Sequence, residues 1–210
     1  MSTTRSRPRS RSRSLPRIGP HSNGMSMTVE EFDAIENYDD CYRYELIRGV
    51  LIVSPIPSAA EADPNGELEF MLRTYRRSHP QGESLDATLC ERYVHLAESR
   101  RRPDRAIWAG LGRVPDLERD VPAIVVEFVS KSKRDRVRDY VEKRQEYLDL
   151  GIREYWIIDR FQRFMTVIRP DQPDLIVKET EIYQTPLLPG FELPLAEIFK
   201  AAARWTKKRS

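Results

Sequence analysis

Long apolar runs, paired cysteines and glycine-rich nucleotide motifs are all missing from this sequence. No stretch approaches the roughly 18 apolar residues that a membrane-spanning helix needs, which excludes an integral membrane protein. Cys41 and Cys90 stand outside any CxxC or Cys/His cluster. That excludes a zinc finger or a disulfide scaffold and suits a reduced, cytoplasmic location. Neither GxxxxGKS, GxxxxGKT nor GxGxxG occurs, so we expect no nucleotide cofactor.

The charge is distributed unevenly along the 210 residues. The formal net charge is +2, but residues 1–24 carry six arginines and no acid, which leaves 29 basic against 33 acidic residues elsewhere. A mildly acidic domain is a poor general coat for a nucleic-acid duplex, so any such contact must come from a local patch or from the ends.

Composition divides the chain into three parts. Residues 1–24 are dominated by Arg, Ser, Pro and Gly, which cannot bury enough apolar surface to offset ordering, and we predict a disordered tail. Residues 25–203 are predicted to form a single domain, and residues 204–210 a short basic end.

The first half of the domain is predicted to alternate helices and strands. Thr28 and Glu31 form a capping-box pattern before a short helix over 29–36. A strand pair over 44–53 turns at Arg48 and Gly49. A second helix is predicted to begin at Pro64, with Asp63 as its N-cap, and to end near Arg77.

The second half contains a strand–helix–strand unit. The apolar run over 122–129 is typical of a central strand covered on both faces. A charged helix over about 133–150 ends at Gly151, and a second buried strand follows over 154–158. An edge pair over 174–183 and a closing helix over 195–203 complete the prediction. The fold class is therefore α/β, a central mixed β-sheet flanked by helices.

Glu127 is the anomalous residue of this pattern because it interrupts the apolar run VVEFV. A carboxylate there must be paired, protonated or bound to a cation. Asp104 opens another short strand, and two acids at neighbouring strands could hold one Mg²⁺ together with waters and phosphate oxygens. Two alternatives stay open: Glu127 could pair with a core arginine, and Asp104 could belong to a Pro-Asp turn.

A lysine near the same point would add positive charge against a reacting phosphate. Lys143 lies three residues after Tyr140 and four before Tyr147, on the stripe of the helix that faces the sheet. Lys131 is the competing candidate, Ser130 could ligate or orient water, and a solvated lysine is the simpler reading of position 143. Glu45, between apolar neighbours, is a third embedded acid that could simply pair with a nearby arginine.

Five segments occur in an order that resembles the Uma-two family, within the PD-(D/E)XK nuclease superfamily. They are MTVEEFDAI, YELIRGVLIVSPIPS, RRPDRAIW, PAIVVEFVSKS and KRQEYLDLGIREYWIID, over about residues 27–170. The resemblance implies a restriction-endonuclease-like core and Mg²⁺-dependent cleavage of DNA. Mn²⁺ could replace Mg²⁺ as the metal. Asp104 matches the aspartate of the motif, Glu127 its second acid, and Glu45 the acid of the YEL segment.

The sequence departs from the superfamily at the motif lysine. The corresponding position holds Val129, and Lys143 resembles a replacement supplied by the following helix. We therefore expect catalysis by Glu45, Asp104, Glu127 and Lys143, with the metal on Asp104 and Glu127. The alternative is a catalytically inactive nucleic-acid-binding protein on a nuclease fold. A homodimer fits either interpretation, and light scattering would test it.

Overall fold

The computed structural model describes residues 17–130 and 143–205. The predicted tail is described only from residue 17, the basic end only to residue 205, and the helix predicted over 133–150 only from Lys143. Lys131, the competing lysine, also lies outside the described residues.

The described residues form twelve strands and four α-helices. The strands are β1 (Tyr42–Ile47), β2 (Val50–Pro55), β3 (Leu85–Cys90), β4 (Val94–His95), β5 (Arg100–Arg101), β6 (Arg105–Ala109), β7 (Ile124–Phe128), β8 (Glu154–Asp159), β9 (Phe164–Ile168), β10 (Leu175–Lys178), β11 (Ile182–Tyr183) and β12 (Leu193–Pro194). The helices are α1 (Val29–Asp33), α2 (Ala59–Ser78), α3 (described over Lys143–Asp149) and α4 (Leu195–Ala203).

A six-stranded sheet in the order β10-β9-β8-β7-β6-β3 forms the centre of the molecule. β7 and β8 are parallel, and the other neighbours are antiparallel, so the sheet is mixed. A parallel pair needs a crossover connection, and α3 lies in it, as the strand–helix–strand pattern predicts. The α/β fold class is confirmed.

Both faces of this sheet are buried, and alternate residues of β7 face opposite sides. Ile124, Val126 and Phe128 belong to one apolar cluster with residues of α2 and α4. Val125 and Val129 belong to a second cluster with Tyr147 of α3. Because Glu127 lies between Val125 and Val129 at a spacing of two, its side chain is on the α3 side.

A smaller sheet in the order β2-β1-β5-β4 packs beside the central one. The β1–β2 hairpin turns at Arg48 and Gly49, whose φ angles are 48° and 76°. Positive φ at both positions is what a two-residue hairpin turn with matching strand twist requires, which confirms the predicted turn. The Thr28 capping box is also confirmed, although α1 already ends at Asp33.

The predicted start of α2 at Pro64 is wrong, because the helix begins five residues earlier at Ala59. Ser58 and Glu61 form a capping box there, and Pro64 lies inside the helix. Proline lacks the N–H that would bond the Ala60 carbonyl. Arg160 Nη1 donates to that carbonyl at 2.9 Å instead. This contact from another part of the fold lets α2 continue through the proline.

Two further boundaries differ from the prediction. The segment over 174–183 does not pair with itself: β10 pairs with β9, and β11 pairs with β12. The fold also includes residues before position 25, since Ile18 is 4% exposed in the cluster around β1 and bonds the backbone of Asn37 and Asp39. No helix within residues 17–130 and 143–205 combines the length and apolar character needed to cross a bilayer.

Candidate active site

A buried ion pair occupies the α3 side of the central sheet. Lys143 Nζ lies 2.5 Å from Glu127 Oε1, and the two residues are 2% and 4% exposed. The Tyr147 hydroxyl donates to the same oxygen at 3.3 Å. Lys143 and Tyr147 are four residues apart, so they lie on one face of α3 above the strand. The structure therefore places Lys143 in the core, where it forms an ion pair with Glu127.

Glu45 brings a second carboxylate to the lysine. Its Oε1 lies 3.9 Å from Lys143 Nζ and accepts a hydrogen bond from the Arg102 backbone N–H at 2.9 Å. Glu45 is 6% exposed. One ammonium thus faces two buried carboxylates. Removing these three charged groups from water costs free energy, which the attraction between the ammonium and the carboxylates must offset.

Asp104 lies beside the same end of β7 and is fixed by two contacts. The Phe128 backbone N–H donates to Oδ2 at 2.7 Å, and Arg43 Nη1 donates to Oδ1 at 3.0 Å. Phe128 directly follows Glu127, so the backbone itself links the two acids. The Asp104 carboxylate is therefore held against the strand that carries Glu127, as the predicted pairing of these acids requires.

Arg43 connects Asp104 to a fourth acid. Its Nε lies 2.9 Å from Glu91 Oε2, which is also 3.1 Å from Arg102 Nε. Burial alone would lower the pKa of Arg43, but Asp104 and Glu91 outweigh it and raise that pKa above its usual value. Burial raises the pKa of Glu91, against the opposing effect of Arg43. Arg43 is thus a permanent cation that balances two carboxylates.

The chemistry of Asp104 and Glu127 fits a hard divalent cation. Mg²⁺ is commonly held by one or two carboxylates, with waters and substrate phosphate completing its shell. Each carboxylate oxygen can accept more than one contact, so the bonds to Phe128 and Arg43 leave Asp104 with ligand capacity. Within residues 17–130 and 143–205, three potential metal ligands have their ligand atoms within 4.8 Å of one another at Asp39, Asp40 and Cys41, which are partly or fully exposed. Asp104 and Glu127 do not belong to that group. A metal on Asp104 and Glu127 would therefore be a two-carboxylate site.

Sequence reasoning missed three arginines around these acids. Arg43 binds Asp104 and Glu91. Arg101 is fully buried, and its Nε donates to Glu146 of α3 at 2.6 Å. Arg102 supplies the backbone donor to Glu45. The spacing of two between Arg43 and Glu45 on β1 was the available signal, since it places both side chains on one face.

The remaining candidate, Ser130, is partly buried at the end of the described segment. The contacts described above bring together Glu45 from β1, Asp104 from the β5–β6 junction, Glu127 from β7 and Lys143 from α3.

A model of a known protein family matches most of the chain. The model of the Uma2 family, described as "Putative restriction endonuclease", matches residues 29–196. None of the curated proteins matches the chain.

Solved structures include a similar protein from Anabaena variabilis ATCC 29413, described as "a putative nuclease belonging to DUF820". The TM-score is 0.65 at 16% sequence identity, and the similarity covers 84% of this chain and 99% of that one. At this identity the likeness establishes the fold. The family match spans far more than half of the chain, and it confirms the resemblance found in the sequence: the chain belongs to the Uma2 family of nucleases.

Proposed function

We propose that the protein is a metal-dependent endonuclease that hydrolyses phosphodiester bonds of DNA. The observation that carries the proposal is the buried Lys143 ammonium, which contacts Glu127 and Glu45, while Asp104 bonds the backbone N–H of Phe128, the residue after Glu127. A nuclease needs carboxylates to hold a cation and a positive group to stabilise the reacting phosphate. All of these groups meet at one end of β7.

In this proposal each residue has a separate role. Asp104 and Glu127 would hold Mg²⁺, or Mn²⁺ in its place, and the ion would lower the pKa of an attacking water and polarise the phosphate. Lys143 supplies positive charge where negative charge develops on the phosphate. Glu45, fixed by the Arg102 N–H, orients the Lys143 ammonium or positions water. Arg43 holds the Asp104 carboxylate in place.

Lys143 would replace the motif lysine from a different element. Val129 stands at the motif position, is fully buried and belongs to the same apolar cluster as Tyr147. The position of the motif lysine is thus used for packing. The ammonium reaches Glu127 from α3 instead, at 2.5 Å.

A plasmid-cleavage assay with Mg²⁺ and with Mn²⁺ tests the proposal, with the wild type beside Glu127→Gln. The amide keeps the shape of the side chain but loses its charge. Glu154→Gln is the matched control, because Glu154 is a similarly buried acid, 1% exposed, on the neighbouring strand β8. Arg169 and Tyr183, which contact its carboxylate, lie outside the proposed site. We expect metal-dependent nicking in the wild type and the control, and its loss in Glu127→Gln. Equal cleavage by a folded Glu127→Gln would exclude this site.

A second candidate function is nucleic-acid binding without cleavage. It is favoured by the tight Lys143–Glu127 pair, because the ammonium contacts a carboxylate oxygen that a metal ion would need. It predicts DNA binding that weakens steeply as salt rises, and no cleavage by wild type with either metal.

A further inference from the structure

An aromatic groove lies beside the proposed active site. Its volume is about 710 Å³, within the range of small-ligand sites. Five aromatic side chains line it together with Arg102: Phe32, Tyr38, Tyr42, Tyr44 and Tyr93. The name aromatic groove refers to these six residues.

The rings of the groove are held in fixed orientations. Phe32 and Tyr93 meet edge to face with their centroids 5.6 Å apart, and Tyr38 and Tyr44 do so at 5.8 Å. The Tyr93 hydroxyl donates to the Tyr44 carbonyl at 3.1 Å. The Arg102 guanidinium carbon lies 5.7 Å from the Tyr93 ring centroid. Tyr38 is 52% exposed, so part of its ring is available to a ligand.

Half of the acids around the groove have cationic partners. Two of its four acidic lining residues form ion pairs, Glu91 with Arg43 and Arg102 and Asp33 with Arg100. Arg92, also in the lining, is exposed. The groove therefore offers the exposed ring of Tyr38 beside Arg92 and Arg102. Asp40 and Glu118 are exposed, so solvent and salt screen their repulsion of phosphates.

Two residues of the groove contact residues of the proposed active site or their partners. Arg102 lines the groove, and its backbone N–H bonds Glu45 Oε1 at 2.9 Å. Glu91 lines it as well and contacts Arg43, which in turn bonds Asp104. A nucleotide in the groove would thus contact residues that also position Glu45 and Asp104.

We propose that the aromatic groove binds an unpaired nucleobase of the substrate strand by stacking. Every base has a π-face that stacks on aromatic rings, whereas a base inside a duplex has both faces covered. The protein would then prefer DNA with unpaired nucleotides near the cleaved bond over blunt duplex. This inference rests on the proposed function, because it names the substrate class of the same site.

Equilibrium binding without divalent metal tests the groove separately from cleavage. The probe is a short fluorescently labelled single-stranded DNA oligonucleotide, with a blunt duplex of the same sequence as comparison. Tyr38→Ala should weaken single-strand binding about tenfold or more, as loss of one stacking ring does. Tyr38→Phe keeps the ring and should bind like wild type. Phe70→Ala removes an aromatic that is 65% exposed on α2, outside the groove, and should also bind like wild type.

The outcomes separate the groove from the nuclease proposal. Unchanged single-strand binding by Tyr38→Ala, or an equal loss for single strand and duplex, would overturn the stacking site even if Glu127-dependent cleavage is observed. Stronger single-strand binding by Tyr38→Ala would also overturn it. Selective loss with Tyr38→Ala supports the groove even if the wild type cleaves nothing.

Discussion

At the scale of single residues, the central feature is one lysine shared by two buried acids. Lys143→Met would leave Glu127 and Glu45 facing each other without the cation between them. We expect a loss of about 3–5 kcal/mol in the free energy of unfolding, because two buried carboxylates lose the cation that they share. Urea denaturation measures this quantity.

The double variant Lys143→Met/Glu127→Gln is the control for that prediction. With one carboxylate neutralised, the repulsion is removed, so the double variant should be more stable than Lys143→Met alone. If the two substitutions destabilise additively, the Lys143–Glu127 pair does not carry the energy assigned to it.

A second residue-scale prediction concerns Glu69 of α2. It bonds the buried Arg105 at 2.8 Å and Arg73 at 2.7 Å. Burial would raise the pKa of Glu69, but these two arginines outweigh it and lower the pKa below its ordinary value of 4.5. A lowered carboxyl pKa contributes stability above pH 4.5 that is lost as the pH falls through the folded-state pKa.

Glu69→Gln should therefore cost about 1–3 kcal/mol of unfolding free energy at neutral pH, since Arg105 loses a charged partner. The difference from wild type should shrink below pH 4.5. Urea denaturation over a pH series measures both, and a difference that stays constant into the acid range would contradict this account.

The residues that sequence reasoning identified share one property, which is a conflict with their surroundings. Glu127 stands out because a charge interrupts an apolar strand, and Lys143 because it falls on the inward stripe of a helix. Arg43 and Arg102 produce no such conflict, since an arginine before or within a short strand is ordinary. Their roles come from the pairing of β1 with β5, which joins distant parts of the chain.

At the scale of elements, α2 depends on an arginine from another segment. Pro64 cannot bond the Ala60 carbonyl, and Arg160 does so instead while also pairing with Glu61 at 3.1 Å. Arg160→Met should lower the free energy of unfolding by about 1–3 kcal/mol, because a helix carbonyl is left without its donor.

The dependence on proline is tested by repeating that substitution in Pro64→Ala. The alanine N–H can donate to the Ala60 carbonyl, so Arg160→Met should cost less there than in the wild type. A double-mutant cycle with no coupling between positions 64 and 160 would refute the compensation.

This helix also shows which part of a boundary depends on distant residues. Its start is marked locally by the Ser58/Glu61 capping box, but proline at the first turn of a helix is the common case and favours the later start. The continuation through Pro64 could not be predicted, because it depends on Arg160, which lies far along the chain. Strands β7 and β8 were predictable because both faces of a parallel strand are covered and the sequence becomes continuously apolar.

At the scale of the whole molecule, the boundary of the domain can be tested by truncation. Removing residues 1–16 keeps the contacts of Ile18 with Asn37 and Asp39, whereas removing residues 1–24 deletes them. Ile18 is 4% exposed, and loss of a buried isoleucine costs about 2–5 kcal/mol. The longer truncation should therefore melt at a clearly lower temperature than the shorter one. Equal melting temperatures would place the boundary at residue 24, as composition alone suggested.

The proposed site is assembled from segments that are far apart in the chain. Glu45 is on β1 near the beginning of the fold, and Lys143 is in the crossover between β7 and β8. During synthesis, a nascent chain that already exposes Glu45, Asp104 and Glu127 still lacks the lysine and the strand β8 that fixes the crossover. Domains fold as units while they emerge from the ribosome. A growing polypeptide would therefore acquire the complete set of proposed site residues, and with it the proposed activity, only once β8 has been synthesised.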